Sequence, residues 1–389
     1  LHRKSSFITI MNKTRCYLVL ALINFIAYSQ ASADNYPNLE GDYWLKLQLN
    51  KDISYKDSDN STIDNSMKYS NYFLEYSPEF KLNLTNRSSF INKWSFLNLK
   101  SPNEDKQNIF FEDEGLVLNK LYYKFEQDDL FFLIGKFEPN YALGHDEKLN
   151  SAIWGSDYAD EYRLQNKLGV GLSAKINLDN YGKHLISINS FYNDDTDLSE
   201  STITRRDLTL GDAGKAGNTD SLSSYTLSLS GKDIYNIPEF FYNISYRNID
   251  AGNTLANISD ESGYSFSIGN KNNFSSLNIF TFAEYSNIQN FNSTNDRFGP
   301  EFSDNIVAAN YEYLTLITSF KYQNWSLNLN RLTKDVDVTG LSNANQNELS
   351  VGYDINDNLV LTLGRKYEKD SSNVRKSSFG LMLYSSKDF

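Results

Sequence analysis

Hydrophobic and polar residues alternate along much of the chain. In the stretch NYFLEYSPEFKLNL, residues 71–84, apolar and aromatic side chains hold one set of alternate positions, and charged or polar side chains hold most of the other set. A period of two places the two sets on opposite faces of a β-strand. The run is long for a strand of a soluble sandwich, and its length is typical of a strand that crosses a membrane.

The same alternation recurs and predicts sixteen strands. In KLGVGLSAKINL, residues 167–178, aliphatic residues alternate with glycine, serine, lysine and asparagine. In ELSVGYDINDNLVLTL, two such runs flank 356–358, whose asparagine and aspartate residues accept the left-handed backbone of a hairpin turn. The predicted strands span residues 41–51, 69–84, 89–99, 115–126, 130–137, 167–178, 184–193, 222–235, 239–249, 262–271, 275–287, 310–322, 325–334, 347–355, 359–369 and 377–389.

The connections between these predicted strands alternate strictly in length. Seven short ones, such as 323–324, are interleaved with eight longer ones, such as 138–166. Short turns at one end and long loops at the other are typical of outer-membrane barrels. The sequence therefore predicts an all-β fold, a transmembrane antiparallel β-barrel of sixteen strands, with fourteen or eighteen strands as the alternatives.

The first residues have the pattern of an export signal. Two basic residues precede an apolar run, residues 16–28, which is too short to span a bilayer. Ala-Ser-Ala at 31–33 fits the small-residue pattern of a signal-peptide cleavage site. We therefore expect translation to start at Met11, residues 1–33 to be upstream residues plus a cleaved signal peptide, and residues 34–389 to form a single barrel.

Composition fits a sheet that has one apolar face and one wet face. Aromatic residues make up 14% of the chain, although the mean hydropathy is −0.52. The only cysteine, Cys16, lies in the predicted signal peptide, so we expect neither a disulfide framework nor thiol chemistry in the mature chain. The formal charge of −12 does not suit a nucleic-acid partner.

The last predicted strand, SSFGLMLYSSKDF, alternates and ends in an aromatic residue. It resembles the C-terminal assembly signal of bacterial outer-membrane proteins, although Ser385 and Lys387 occupy positions where that signal is usually apolar or aromatic. By this resemblance, the residues of the assembly signal are Phe379, Leu381, Leu383 and Phe389.

With the signal peptide, the strands, the loop alternation and the final phenylalanine, the whole mature chain is similar to bacterial porins. This resemblance implies the outer membrane of a Gram-negative bacterium, surrounded by lipid and lipopolysaccharide. It also implies insertion by the barrel-assembly machinery and a homotrimer. A stretch within 121–144, IGKFEPNYALG, is also similar to a motif of the phosphate-selective porin-like group.

In porins, the third long loop folds inward and narrows the channel, so the resemblance makes residues 138–166 the expected constriction loop. Its charged residues could instead be ordinary solvated loop residues. The candidates are Glu138, His145, Asp146, Glu147, Lys148, Asp157, Asp160, Glu161 and Arg163.

The strand pattern also indicates which charged residues face the lumen, where they would set the selectivity of a pore. The pore-wall candidates are Lys81, Lys93, Lys120, Lys124, Lys136, Lys175, Arg247, Lys321 and Lys366, with Glu75, Glu79, Glu284, Glu348, Asp354 and Glu368 against them. A basic wall favours anions or phosphate-bearing solutes, and acidic loops concentrate cations. Because the constriction loop is itself acidic, we expect a slight preference for cations.

No catalytic arrangement is evident. The mature chain keeps two histidines, His145 and His184, and neither belongs to a recognisable nucleophile motif. We expect no enzyme activity, no cofactor and no metal. The predicted function is a water-filled channel for passive diffusion of ions and small hydrophilic solutes. The alternatives are a substrate-specific channel, of the anion, phosphate or sugar type, and a plugged barrel with a structural or surface-binding role.

Overall fold

The structure is a computed structural model. It describes residues 36–56, 67–98, 108–111, 114–145, 152–155, 157–194, 201, 221–234, 237, 239–251, 259–291, 309–338, 341–371 and 373–389. The predicted signal peptide lies outside these residues.

Nearly all of the regular structure is β. Across the described ranges, no helix is long and apolar enough to cross a membrane, and a 3-10 turn lies at Asp179–Tyr181. The strands are β1 (Asn38–Lys56), β2 (Met67–Asn83), β3 (Ser88–Asn98), β4 (Ile109–Phe110), β5 (Glu114–Gln127), β6 (Leu130–Phe137), β7 (Lys167–Asn177), β8 (Lys183–Asn193), β9 (Ser224–Lys232), β10 (Phe240–Ile249), β11 (Glu261–Phe274), β12 (Leu277–Phe291), β13 (Ala309–Tyr322), β14 (Trp325–Val336), β15 (Ala344–Asn356), β16 (Leu359–Lys369) and β17 (Val374–Asp388).

The strands close into a barrel. Each of the sixteen long strands pairs antiparallel with its neighbours along the chain, and β17 pairs with β1 from Asp42↔Asp388 to Lys56↔Val374. The two-residue β4 is the exception, because it lies parallel to β2. The predicted sixteen-stranded antiparallel barrel is therefore confirmed, and most of its predicted strand bounds agree with the structure to within three residues.

The two ends of the barrel differ, as the connection lengths predict. The short connections, such as Tyr322 to Trp325 and Asn356 to Leu359, all lie at one end, which we call the turn end. The strand ends that the longer connections join lie at the opposite end, which we call the loop end.

Along each strand, apolar residues face outward and polar residues face the lumen. On β15, Leu349 and Val351 are 50% and 41% exposed, whereas Glu348 and Ser350 are 3% and 1% exposed. The same alternation appears on β11, where Phe266 lies outward between buried serines. A long strand of this kind presents an apolar outer surface and a polar inner surface.

The ends of the chain complete the ring. The backbone N–H of Gly41 donates to the carbonyl of Phe389 at 2.9 Å, and the N–H of Phe389 donates back to the carbonyl of Gly41 at 2.8 Å. The Phe389 ring packs edge-on against Phe80, with ring centroids 5.8 Å apart. A Cβ on Gly41 would lie 2.6 Å from the Phe389 ring, so the absence of a side chain there makes room for it.

Candidate functional site

The predicted constriction loop leaves β6 at Glu138 and lies inside the barrel. Three parts of it are described, namely an outgoing limb (138–145), a distal segment (152–155) and a returning limb (157–166). The candidates Asp146, Glu147 and Lys148 lie outside the described residues.

The outgoing limb crosses from β6 towards the opposite wall. The Asn140 side chain donates to the Ser187 hydroxyl on β8 at 3.3 Å. The hydroxyls of Tyr141 and Ser286, the latter on β12, share a hydrogen bond of 3.0 Å. Hydroxyl-bearing residues on the inner face of the wall therefore give the limb polar attachment points along its path.

Glu284, on β12, binds both limbs of the loop. Its Oε2 accepts hydrogen bonds from the backbone N–H groups of Leu143 at 2.6 Å and Gly144 at 3.0 Å. Its Oε1 accepts a hydrogen bond from the Tyr162 hydroxyl, on the returning limb, at 2.5 Å. Ser267, on the neighbouring wall strand, also donates to Oε2 at 2.5 Å. Hydrogen bonds to a carboxylate are among the stronger ones in proteins, so this residue ties the two limbs to each other and to the wall.

Glu348, on β15, holds the distal segment in a similar way. Its two carboxylate oxygens accept from the backbone N–H groups of Ile153 at 2.8 Å and Trp154 at 3.2 Å. The Trp154 ring then lies over Gly380 of β17, where an added Cβ would be 2.8 Å from the ring. The distal segment is therefore fixed to β15 and β17.

Aromatic packing reinforces the attachment of the limbs. Tyr162 lies between Tyr141 and Tyr313, with ring centroids 6.5 Å and 4.8 Å away, and all three side chains are buried. Burial raises the pKa of Tyr141 to about 12. Burial, with the adjacent Glu284 carboxylate, holds the pKa of Tyr162 well above its usual range. Both phenols are therefore neutral hydrogen-bonding groups at physiological pH.

Glu138, at the start of the outgoing limb, lies between cationic groups. Its Oε2 is 2.5 Å from Nη2 of Arg163 and 3.7 Å from Nζ of Lys120. Burial alone would raise the pKa of Glu138, but the charges of Arg163 and Lys120 outweigh burial and lower it to about 2. The carboxylate is therefore ionised and neutralised by its neighbours.

The other acidic residues of the described limbs are also paired. Glu161 accepts from Lys334 Nζ at 2.5 Å and from the Tyr313 hydroxyl at 3.0 Å. Asp157 is 3.0 Å from Lys366 Nζ, and Asp160 contacts the His145 ring. Lysine and arginine side chains thus compensate the negative charges of Glu138, Asp157 and Glu161 within the protein.

A row of charged residues crosses β2, β3 and β5 on the inner face. Glu79 is the cross-strand partner of Lys93, and Lys93 is the cross-strand partner of Lys120. The Glu79 carboxylate is 3.7 Å from Lys93 Nζ and 3.8 Å from Lys120 Nζ. The register shift between Lys93 and Trp94 accompanies this direct pairing of the two lysines.

A cavity of about 210 Å³ lies between the limbs and the wall. Lys120 and Arg163 contribute positive charge to its lining, and Ser228, Ser230 and Asn243 contribute hydroxyl and amide groups from β9 and β10. Glu138, Leu143, His145 and Tyr162 line it from the loop side. The space beside the loop therefore has both polar and apolar lining, and its charged, hydroxyl and amide groups can hydrogen-bond to water.

Two of the basic pore-wall candidates are fully buried in ion pairs. Lys136 pairs with Asp194 at 2.9 Å, and both side chains are fully buried. Arg247 pairs with Glu261 at 2.5 Å, with both side chains 1% exposed, and donates to the Tyr162 carbonyl at 2.7 Å. These two cations face the barrel interior, and their ion pairs are shielded from solvent.

The remaining candidates are spread along the wall. Lys81, Lys124, Lys175 and Lys321 lie near the turn end and pair with Glu40, Glu126 and Asp354. Glu75 pairs with Lys46, which the sequence reasoning missed, at 2.9 Å. Lys366 also pairs with its neighbour Glu368 at 3.1 Å.

Sequence reasoning also missed the tyrosines of the loop and the wall residues that hold it. Tyr141, Tyr162 and Tyr313 carry no charge and so do not stand out in a charge pattern, and Lys334 lies in the predicted strand 325–334 but is not among the pore-wall candidates. The sequence does contain one signal for a loop that packs against the barrel wall. Two tyrosines, Tyr158 and Tyr162, lie four residues apart in a charged stretch, and Gly144 precedes them.

No protein-family model matches the sequence, and no curated protein matches it. Solved structures do match. The outer-membrane channel DcaP of Acinetobacter baumannii is 12% identical, with a TM-score of 0.57 over 92% of this chain and 99% of that one. An anion-selective porin from Comamonas acidovorans is 9% identical, with a TM-score of 0.53 over 90% of this chain and 100% of that one.

OprB of Pseudomonas putida is 11% identical, with a TM-score of 0.53 over 90% of this chain and 94% of that one. At such low identity the likeness concerns the course of the backbone. The chain therefore has the fold of outer-membrane channel barrels.

Proposed function

We propose that this chain is a porin of the Gram-negative outer membrane, which forms a water-filled channel for passive diffusion of ions and small hydrophilic solutes. The proposal rests on the loop of residues 138–166. Its described parts are hydrogen-bonded to the inner wall of a closed sixteen-stranded barrel. A cavity with polar groups in its lining lies beside them.

Barrel size supports an aqueous interior. Eight strands enclose a space that side chains fill, whereas sixteen leave room for a channel. The inner face carries serines, asparagines and paired charges, such as Glu79 with Lys93, all of which water solvates well. A loop that narrows such an interior without filling it leaves a limited passage for solutes.

The outer surface supports placement in a membrane. Leu349, Val351 and Leu363 are 50%, 41% and 63% exposed, and similar residues recur on the other strands. An apolar band of this extent would cause aggregation in water, whereas lipid covers it in an outer-membrane barrel. Lipid and lipopolysaccharide, the barrel-assembly machinery that reads the C-terminal signal, and a homotrimer are parts of the same proposal.

The motif shared with the phosphate-selective porin-like group has a structural explanation. Gly135 has φ of +133°, and Gly144 has no space for a Cβ because the Glu284 carboxylate would be 2.6 Å away. Gly135 is therefore explained by the pairing of β6 with β5, and Gly144 by the contact of the loop with Glu284, whatever the solute. We accordingly propose general diffusion, without a phosphate site and without a catalytic step.

Liposome swelling tests the proposal. Vesicles that contain the folded protein are diluted into isotonic solutions of neutral sugars of increasing size, and swelling is followed by light scattering. We expect fast swelling with small sugars and a steady decline with size, without saturation by any one sugar. A saturable rate for one sugar would indicate a substrate-specific channel, and impermeability to all of them would indicate a plugged barrel.

A further inference from the structure

Glu284 and Glu348 hold different parts of the loop. Glu284 accepts hydrogen bonds from both the outgoing limb, at Leu143 and Gly144, and the returning limb, at Tyr162. Glu348 accepts from backbone groups of the distal segment. One wall residue thus joins two parts of the loop that are far apart in sequence, and the other holds the intervening part.

We propose that Glu284 is the positioning residue that sets the width of the channel, and that Glu348 fixes the distal segment without setting that width. This inference rests on the proposed channel function and deepens it. Glu284 acts through the two limbs, and it does not need to touch a solute.

The lining of the cavity supports this division. Both limbs line the 210 Å³ cavity, through residues that include Leu143, His145, Tyr162 and Arg163. Ile153 and Trp154 are absent from its lining, because they pack against Met382 and the glycines of β16 and β17. The limbs that Glu284 holds therefore border this space directly, whereas Ile153 and Trp154 do not.

The fit around Glu284 is close enough to hold the limbs in one position. Oε2 accepts three hydrogen bonds of 2.5 to 3.0 Å, and Oε1 accepts one of 2.5 Å. Leu143 also packs against the buried cluster of Phe280, Phe282 and Ile317. The approach of the Gly144 N–H requires the missing side chain, since a Cβ would be 2.6 Å from Oε1. The Glu284 carboxylate thus occupies the space that a side chain at position 144 would need.

The test is single-channel recording of Glu284→Ala, Glu284→Gln and Glu348→Ala beside the unmodified chain. Glu284→Ala removes the acceptors for both limbs, and we expect roughly twofold higher conductance, since conductance follows the width of the narrowest part. In Glu284→Gln the carbonyl can replace Oε2 and the amide can donate to the Tyr162 hydroxyl. We expect its conductance to return close to that of the unmodified chain.

Glu348→Ala is the matched control, because it removes a buried carboxylate with two comparable backbone hydrogen bonds. We expect it to lower stability as much as Glu284→Ala does while it raises conductance far less. Equal conductance of Glu284→Ala and the unmodified chain would overturn the inference, and so would a larger rise in Glu348→Ala.

Two milder variants decide the matter if Glu284→Ala does not fold. Tyr162→Phe removes the hydroxyl that binds Glu284, and Gly144→Ala pushes the outgoing limb away from it. We expect both to raise conductance and the swelling rate for larger sugars. If neither changes them, the inference is wrong. Absence of conductance from the unmodified, folded chain would instead contradict the channel proposal itself, so the two failures are distinguishable.

Discussion

At the scale of single residues, the protonation of Glu138 links the loop to pH. Its pKa falls from the usual 4.5 to about 2 in the folded chain, because Arg163 and Lys120 outweigh the effect of burial. The folded state therefore binds fewer protons than the unfolded state, and this contribution to stability is present above pH 4.5 and is lost as the pH falls towards 2.

We expect the free energy of unfolding of Glu138→Gln to depend less on pH, between pH 5 and pH 2, than that of the unmodified chain. For the unmodified chain, the free energy of unfolding should fall by on the order of 3 kcal/mol more than for the variant between pH 5 and pH 2. Denaturant titrations at several pH values measure this difference. Glu239→Gln, at an exposed turn position, is the control and should leave the profile unchanged. Parallel profiles for Glu138→Gln and the unmodified chain would contradict the pairing.

The residue scale is also where sequence reasoning reached its limit. Parity identified Lys93, Lys120 and Glu79 as inward-facing, because alternation alone decides that. It could not separate Lys136 and Arg247, which are buried in ion pairs, from residues that line the cavity. That distinction depends on which part of the loop covers each residue, and the strand pattern carries no such information.

At the scale of elements, the strands were predictable where one face is apolar and the other polar. The predicted strands at 89–99, 130–137 and 275–287 alternate poorly, and the structure shows why. A register shift interrupts the pairing of β3 with β5. On β6, Phe131 faces inward, with its ring 4.5 Å from Lys124 Nζ and 4.2 Å from Lys175 Nζ. On β12, Phe280 and Phe282 are buried against the loop.

The charged row on β2, β3 and β5 leads to a prediction about ion selectivity. Glu79 lies near both Lys93 and Lys120. Glu79→Gln leaves the two lysines less compensated, so the lumen becomes more positive at this level. We expect the chloride-to-potassium permeability ratio to rise roughly twofold, because charged side chains in a pore lining set its ion preference. The reversal potential in a potassium chloride gradient measures this ratio.

Glu40→Gln is the control for that experiment. Glu40 pairs with Lys81 at the turn end, and its side chain is 56% exposed, so water and salt screen its charge. We expect a much smaller change in the reversal potential. An equal change for both variants would show that charge at the mouth, and not the row on β2, β3 and β5, determines selectivity.

At the scale of the whole molecule, closure of the ring depends on the pairing of β1 with β17. Phe389 exchanges two backbone hydrogen bonds with Gly41 and packs its ring against Phe80. The proposed assembly signal therefore coincides with the seam of the barrel. The role of Phe379, Leu381 and Leu383 in assembly remains a prediction.

We expect Phe389→Ala to reduce the folded fraction during refolding into detergent. It removes an aromatic contact worth about 1 kcal/mol at the pair of strands that closes the ring. The gel mobility of unheated samples measures the folded fraction. Phe274→Ala provides the control, because Phe274 is also aromatic, is 59% exposed and lies at the turn end. Equal losses in the two variants would contradict a specific role for Phe389.

The resemblance to porins predicts that the loop folds inward. The hydrogen bonds that hold the loop to the wall could not be predicted from the sequence. Leu143 and Glu284 are 141 positions apart, and Ile153 and Glu348 are 195 apart. Contacts over such distances follow from the curvature and closure of the barrel, which periodicity does not determine. The predicted cation preference depended on an acidic loop, and the described limbs pair that acidity with Lys334, Lys366 and Arg163.

Planar-bilayer recording of the folded chain tests the central proposal most directly. The protein is added to one side of a bilayer in potassium chloride, and the current is recorded at fixed voltage. If the channel is open beside the loop, we expect discrete, long-lived current steps of equal size. The current should be proportional to the salt concentration. A protein that is verified as folded and inserted and yet gives no steps would contradict the channel and would indicate a barrel that the loop plugs.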